Sequence, residues 1–385
     1  MTNGFEQRLG RLVDQLNATL RTLLDAQLAR APETEHPIMQ RIYRSVYAYL
    51  ENGGKRMHGI SQVLAYRAVG GQPPDSIFPI AAAFQLYHHH TLVHDDIYDD
   101  DAERRGSPTI AHAFSDWFKK IEPSSNVKSH RSLFQGESER RGAVAGFVQG
   151  KIVHAIAFEA VCKSAFPASD IVNVVQALNW HDLHDNAGQM KDVYHEGSRI
   201  PSPEACLEIA RLKTGRLFAI SVEAAARLGG ASPPQVEALV QWILAAAVAY
   251  QLQDDLEDLE KESEKGLGRG VGTDLLTAKP TLILSLALES AGHAERHFLE
   301  DWLRFPEIRS KQLETMIEVL RATNALALCR ARVSALIQES ERALARATPA
   351  LDLAIAEEMV QFAHYFVSPN YWHRALPPSR HPFVG

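Results

Sequence analysis

Residues 92–109 read LVHDDIYDDDAERRGSPT. Aspartates occupy 95, 96, 99, 100 and 101, and arginines follow at 104 and 105. On a helix, Asp95 and Asp99 are four residues apart and share a face, where like charges repel. A hard divalent cation resolves that repulsion, because Mg²⁺ takes carboxylate oxygens together with phosphate oxygens. Taken alone, the run could equally be a solvated helix end. A second copy decides between these readings. Residues 250–258 read YQLQDDLED, with Asp254 and Asp258 again four apart, Asp255 beside them and Gln251 one turn earlier. This copy ends the apolar run ILAAAVAY (243–250), so its carboxylates leave a core helix at its rim. Two such clusters on two core helices predict a paired cation site that binds a diphosphate and stabilises it as a leaving group.

Working outward, apolar residues recur at three- and four-residue spacing over 5–30, 37–51, 77–98, 141–164, 169–194, 203–228, 234–260, 280–290, 311–322, 324–346 and 352–366. Strand-like alternation is nearly absent. Ser202-Pro203-Glu204 and Ser232-Pro233-Pro234 read as helix starts, and Gly-Gly at 53–54, 70–71 and 229–230 as helix stops. The expectation is an all-α, single-domain bundle of ten or more helices over 1–366, with an inserted loop at about 118–141 and a proline-rich tail at 367–385. The chain has 385 residues and a net charge of −7 without a long basic run, which disfavours nucleic acid as a partner. The N-terminus lacks the apolar core of a signal peptide, and the expectation is that no apolar stretch approaches the length of a membrane span. Three widely spaced cysteines without a CxxC pair fit buried free thiols in a reducing, cytoplasmic setting.

Cationic residues accompany the aspartates. Lys55 and Arg56 follow Gly53-Gly54, Arg104 and Arg105 follow the first cluster, and Lys213-Thr214 sits in EIARLKTGRLFAI. Arg269 lies in a glycine-rich loop and Lys279 in GTDLLTAKPTL. Such side chains, with the backbone amides that glycines free, can hold phosphates.

The ordered set GGKR (53–56), HDDIYDDDAERRGSPT (94–109), GQMKD (188–192), KTG (213–215), QLQDD (251–255) and GTDLLTAK (272–279) resembles the trans-isoprenyl diphosphate synthases, the polyprenyl synthetase family. The likeness runs from about residue 35 to 366. It implies an isoprenoid synthase fold around a deep cavity, three Mg²⁺ ions and a homodimer. Asp95, Asp99 and Asp254 would ligate the metal, with Asp96, Asp192, Asp255 and Asp258 in support. Arg104, Lys213, Gln251, Arg269 and Lys279 would hold an allylic diphosphate, with help from Thr214. Lys55, Arg56, His58, His88 and Arg105 would hold isopentenyl diphosphate. Tyr87, His90 and Thr91, just before the first aspartate, would form the floor that limits the growing chain, and their size implies fifteen or twenty carbons.

The chain departs from the pattern in places. The family's GGKRxRP reads GGKRMHG here, so His58 replaces an arginine. Lys151 stands for a usual aspartate after Gly150, and Ala278 for a usual glycine before Lys279. The insertion carries Lys119, Lys120, Lys128, Arg131, Arg140 and Arg141, which would suit either a basic flap over the site or a surface loop. His88, His89 and His90 point about 100° apart on a helix and cannot converge on one ion. Chain elongation is the first functional reading. A terpene synthase acting on the allylic diphosphate alone is the second, and a non-catalytic partner subunit the third.

Overall fold

The structure, a computed structural model, describes residues 2–29, 36–51, 54–104, 106–122, 134, 136–195, 200–260 and 272–368. Arg105, Lys128, Arg131, Arg269 and the tail beyond 368 lie outside them, as does the Asp192 side chain. The elements in order are α1 (Thr2–Leu28), α2 (Pro37–Glu51), α3 (Met57–Ala68), α4 (Phe78–Tyr98), β1 (Glu103–Arg104), β2 (Ser107–Pro108), α5 (Ile110–Ile121), α6 (Glu137–Cys162), α7 (Ala168–His195) and α8 (Pro203–Ala210). A π-helical turn, Arg211–Gly215, leads into α9 (Arg216–Leu228) and α10 (Pro233–Glu260). Then come α11 (Thr273–Leu276), α12 (Leu282–Ser290), α13 (His293–Arg304), α14 (Pro306–Arg309), α15 (Leu313–Ala322), α16 (Ala325–Leu344) and α17 (Leu353–Phe366). The all-α expectation holds; β1 and β2 make only a two-residue hairpin.

The acid-bearing helices run through the core. α4 is buried on every side from Ile80 to Tyr87, and α10 buries Leu239, Trp242, Ile243, Ala246 and Ala249. A helix apolar all round belongs inside. α10 is fixed by α9, α12, α16 and α17. Its Trp242 indole donates to the Met359 carbonyl at 3.3 Å, and the Ser340 hydroxyl donates to the Trp242 carbonyl at 2.9 Å. α9 packs against α3, α4, α7 and α10, so it forms a wall shared by both acid-bearing helices. The expected caps are present. The Ser202 hydroxyl accepts from the Ala205 amide, and Ser232 and Gln235 close a reciprocal capping box.

Four sequence readings are corrected. α3 was not read as a helix because every residue but Arg67 is buried, with His58, Ser61 and Gln62 among them, so no amphipathic period shows. The insertion is shorter than 118–141, because α5 runs to Ile121 and α6 begins at Glu137. Arg141 pairs with Glu122, Arg140 with Glu137 and Lys119 with Glu139, so these three cations have acidic neighbours and give no support to a flap. α6, with 26 residues, is long and apolar enough to cross a membrane, contrary to the sequence reading; half of that stretch is buried inside the protein, as in a core helix. Cys206 and Cys329 are buried as expected, whereas Cys162 is exposed.

Candidate active site

The first acidic cluster forms where α4 ends. Asp95 is partly buried, Asp96 is buried and Asp99 is exposed at the helix cap. The chain then turns through Asp100 in the left-handed region (φ 52°), and the β1–β2 hairpin carries Arg104 back onto Asp96. Arg104 also lies 3.8 Å from Asp101. Burial, with Asp101 and Asp95 nearby, pushes the Asp96 carboxyl up to about 6 in spite of Arg104. Its Oδ2 is buried without a hydrogen-bond partner.

The second cluster ends α10, with Asp254 exposed and Asp255 and Asp258 buried. Burial pushes Asp255 up to about 7, reinforced by Asp274 and Asp254 and opposed by Lys279. Asp258 is turned onto the returning chain: its carboxylate accepts from the Asp274 amide at 3.1 Å and its carbonyl from the Gly272 amide at 2.9 Å. That turn ends with Ala278 at φ 54°, a conformation that favours glycine, the residue usual there in the resembling family. Lys279 lies 3.3 Å from Asp274. Burial opposes its charge, but Asp274, Asp255 and Asp254 outweigh it and keep the ammonium protonated. Asp274 was not singled out from sequence.

The π-helical turn supplies the polar contact beside α10. Such turns insert a residue and often mark functional sites. Here the turn presents Lys213 and Thr214, and the Thr214 hydroxyl donates to Gln251 at 2.6 Å. Gln251 in turn donates to Asp255 at 3.0 Å, which makes a continuous Thr214–Gln251–Asp255 chain. Gly215 closes the turn against α10, where an added Cβ would meet Leu244 at 2.6 Å.

The residues around α3 that the resemblance assigns to phosphate depart from its pattern. Lys55 is partly exposed. Arg56 is buried and turned away: it donates to the Asn17 side chain at 2.7 Å and to the Leu50 carbonyl, tying α1 to the end of α2. The guanidinium read from sequence as a substrate-binding group thus also serves the fold. His58 is buried, stacked on Phe218 at 3.7 Å and 4.3 Å from His88. Burial, with His88 and His181 close by, holds the His58 imidazole well below its usual value, so it is neutral. It therefore does not reproduce the charge of the arginine it replaces.

The three consecutive histidines diverge, as their spacing requires. His88 faces His58. His89 stacks on Tyr49 at 3.9 Å and meets the Gln149 amide at 3.3 Å. His90 faces His154 of α6 and Asp182 of α7, with its Nε2 4.0 Å from Asp182. Tyr87 is fully buried and its hydroxyl donates to Asp182 at 3.0 Å. Thr91 is partly buried, and its hydroxyl donates to the His88 carbonyl. Tyr87 and His90, two of the three residues read as a chain-length floor, thus meet His154 and Asp182, which the sequence reading did not select. α4 and α6 come close because Gly150 has no side chain: a Cβ there would lie 2.5 Å from the His94 ring.

The donor set suits Mg²⁺. Carboxylates raised by burial, and an orphaned buried carboxylate oxygen on Asp96, are groups that a hard oxygen-seeking cation would satisfy.

The polyprenyl synthetase profile matches residues 39–320. A short chain isoprenyl diphosphate synthase of Methanocaldococcus jannaschii is 28% identical over 73% of this chain and 76% of its own length. A protein of the same description from Methanothermobacter thermautotrophicus is 31% identical over 64% of this chain and 67% of its own. Among solved structures, the geranylgeranyl pyrophosphate synthase of Corynebacterium glutamicum, complexed with isoprenyl diphosphate and magnesium, superposes with a TM-score of 0.80 at 22% identity, covering 94% of this chain and 99% of the other.

Proposed function

The chain belongs to the polyprenyl synthetase family and is a prenyl-transferring enzyme; from that premise we propose that it condenses isopentenyl diphosphate with an allylic diphosphate to a trans-prenyl diphosphate of fifteen or twenty carbons. The observation that carries this reading is the pair of intact aspartate clusters, the second wired to Thr214 through Gln251. Bound Mg²⁺, three ions by family resemblance, would be held by Asp95, Asp99 and Asp254 and would neutralise charge on the departing diphosphate. Lys213, Gln251, Arg104 and Lys279 bind and orient that diphosphate. Asp96, Asp255 and Asp258 shape the carboxylate sets, and Asp192 and Arg269 complete them. Lys55, His88 and Arg105 hold isopentenyl diphosphate. The apolar helices keep out water that would quench an allylic cation.

The test is incubation with Mg²⁺ and geranyl or farnesyl diphosphate, with and without isopentenyl diphosphate. Longer prenyl alcohols that appear only after phosphatase, and only with isopentenyl diphosphate, support elongation. A hydrocarbon or alcohol formed from the allylic diphosphate alone would replace it with the terpene synthase reading. Neutral His58 stacked on Phe218 is the one observation that favours this second reading.

His58→Arg separates the two. A planar guanidinium can stack on Phe218 and grip phosphate, so the KM for isopentenyl diphosphate should fall about tenfold while the allylic KM stays put. No change in either constant would remove His58 from the site. Tyr87→Ala should lengthen the product if Tyr87 is the floor. It should also cost about 3–5 kcal/mol of stability, because the ring is fully buried. An unchanged product distribution from the folded variant would reject the floor.

Homodimerisation is supported by an exposed apolar stripe on α6, formed by Val144, Phe147 and Val148. Light scattering should give twice the chain's 42.7 kDa; a monomer mass would sink this reading.

A further inference from the structure

Beneath the first aspartate cluster, three helices bring together groups that prenyl transfer does not require. His90 of α4, His154 of α6 and Asp182 of α7 each offer one ligand atom, and these atoms lie within 4.8 Å of one another. We propose that His90, His154 and Asp182 bind one divalent transition-metal ion of the zinc class, a site separate from the magnesium cluster and fastening α4, α6 and α7 together below it.

The arrangement is built rather than incidental. The two carboxylate oxygens of Asp182 are divided between the histidines, with His90 Nε2 4.0 Å from Oδ1 and His154 Nε2 3.8 Å from Oδ2. His154 Nε2 is buried and has no hydrogen-bond partner, while His90 is 5% exposed. The Tyr87 hydroxyl donates to Asp182 at 3.0 Å and fixes the carboxylate from behind, as groups outside a metal's own ligands commonly do. Drawing these atoms together by up to about 1.5 Å reaches the ligand spacing of a tetrahedral site with bonds of roughly 2.0–2.2 Å. Three protein ligands leave a fourth position open. Two imidazoles and one carboxylate select zinc, cobalt or iron over magnesium, which prefers oxygen alone. The ligands sit on three separate helices, so the ion acts as a cross-link at the floor of the proposed product cavity, and its selectivity keeps it apart from the aspartates.

This inference does not rest on the substrate reading. The experiment is Co²⁺ titration of the full chain in excess Mg²⁺, which keeps the aspartate clusters occupied. The expected result is one equivalent of Co²⁺ showing the intense visible bands of four- or five-coordinate cobalt, displaced by Zn²⁺. His154→Leu and Asp182→Asn should each abolish the bands while keeping the helical circular dichroism. Where either variant fails to fold, long-range histidine NMR of the wild type serves instead, and Zn²⁺ should shift the ring nitrogens of two histidines. Absence of the bands and of these shifts overturns the proposal, as do bands that persist in both variants. Bands lost in Asp254→Asn but kept in His154→Leu would place the ion among the aspartates and overturn it equally.

Discussion

Asp95→Asn and Asp254→Asn should each lower kcat by about 10²–10³-fold, and the double variant should fall no more than about tenfold below the worse single. The two residues belong to different helices, α4 and α10, and both helices pack against α9. If the two clusters hold one diphosphate through a shared set of cations, removing either carboxylate disables the same unit. Groups that act as a unit are grossly non-additive. Independent sites would multiply instead, giving a loss of about 10⁴–10⁶. Steady-state kinetics on the four proteins at saturating Mg²⁺ distinguishes these outcomes. A multiplicative loss would mean that the clusters do not face one another.

The second large effect is on stability. Asp255 is 7% exposed, and burial raises its carboxyl from 3.8 to about 7. An acid whose folded value lies above its unfolded value is easier to bury protonated. Its favourable contribution is therefore complete at pH below about 4 and is lost as the pH rises toward 7, by up to about 4 kcal/mol. Metal-free protein should lose melting temperature between about pH 4 and 7, apart from other groups that titrate there, and Mg²⁺ should restore more of it at the higher pH. Asp255→Asn should flatten that slope and raise the metal-free Tm at pH 7.5, while weakening the response to Mg²⁺. Melting curves across this range, with and without Mg²⁺, check it. An unaltered slope in Asp255→Asn would show that Asp255 does not titrate there.

These predictions set binding against folding at the same carboxylates. Asp96 is likewise buried and raised, to about 6. Both positions carry charge that the empty fold disfavours and a cation would relieve, as expected where function opposes stability.

The aspartate clusters were legible because four-residue spacing places like charges on one helix face, an arrangement that needs an explanation. The caps at Ser202 and Ser232 were legible because the bonds are local. Long-range partners were not. Arg56 reads as a phosphate ligand until Asn17, 39 residues away, takes its guanidinium. Asp182 lies 95 residues from Tyr87, and no periodicity links them. His58 looked like a weakened cation, and only its stack on Phe218 shows that it is neutral. The basic residues of the insertion looked available until α5 and α6 set acids beside Lys119, Arg140 and Arg141. In each case distant contacts fixed the role, and for His58 local pattern missed the element as well, because α3 shows no amphipathic period.

The π-helical turn at Arg211–Gly215 carries one more consequence. Each residue advances a helix by about 100°, so a turn holding one extra residue offsets the phase of everything after it. Along 203–228, α8 buries Cys206 and Ala210 while α9 buries Leu217, Phe218, Ser221, Val222 and Ala225. Without the offset, one continuous helix would need a single stripe to serve both packing faces and still aim Thr214 at Gln251. The widened turn frees these demands from one another: two helices keep separate angular settings, and a five-residue seam between them keeps its own.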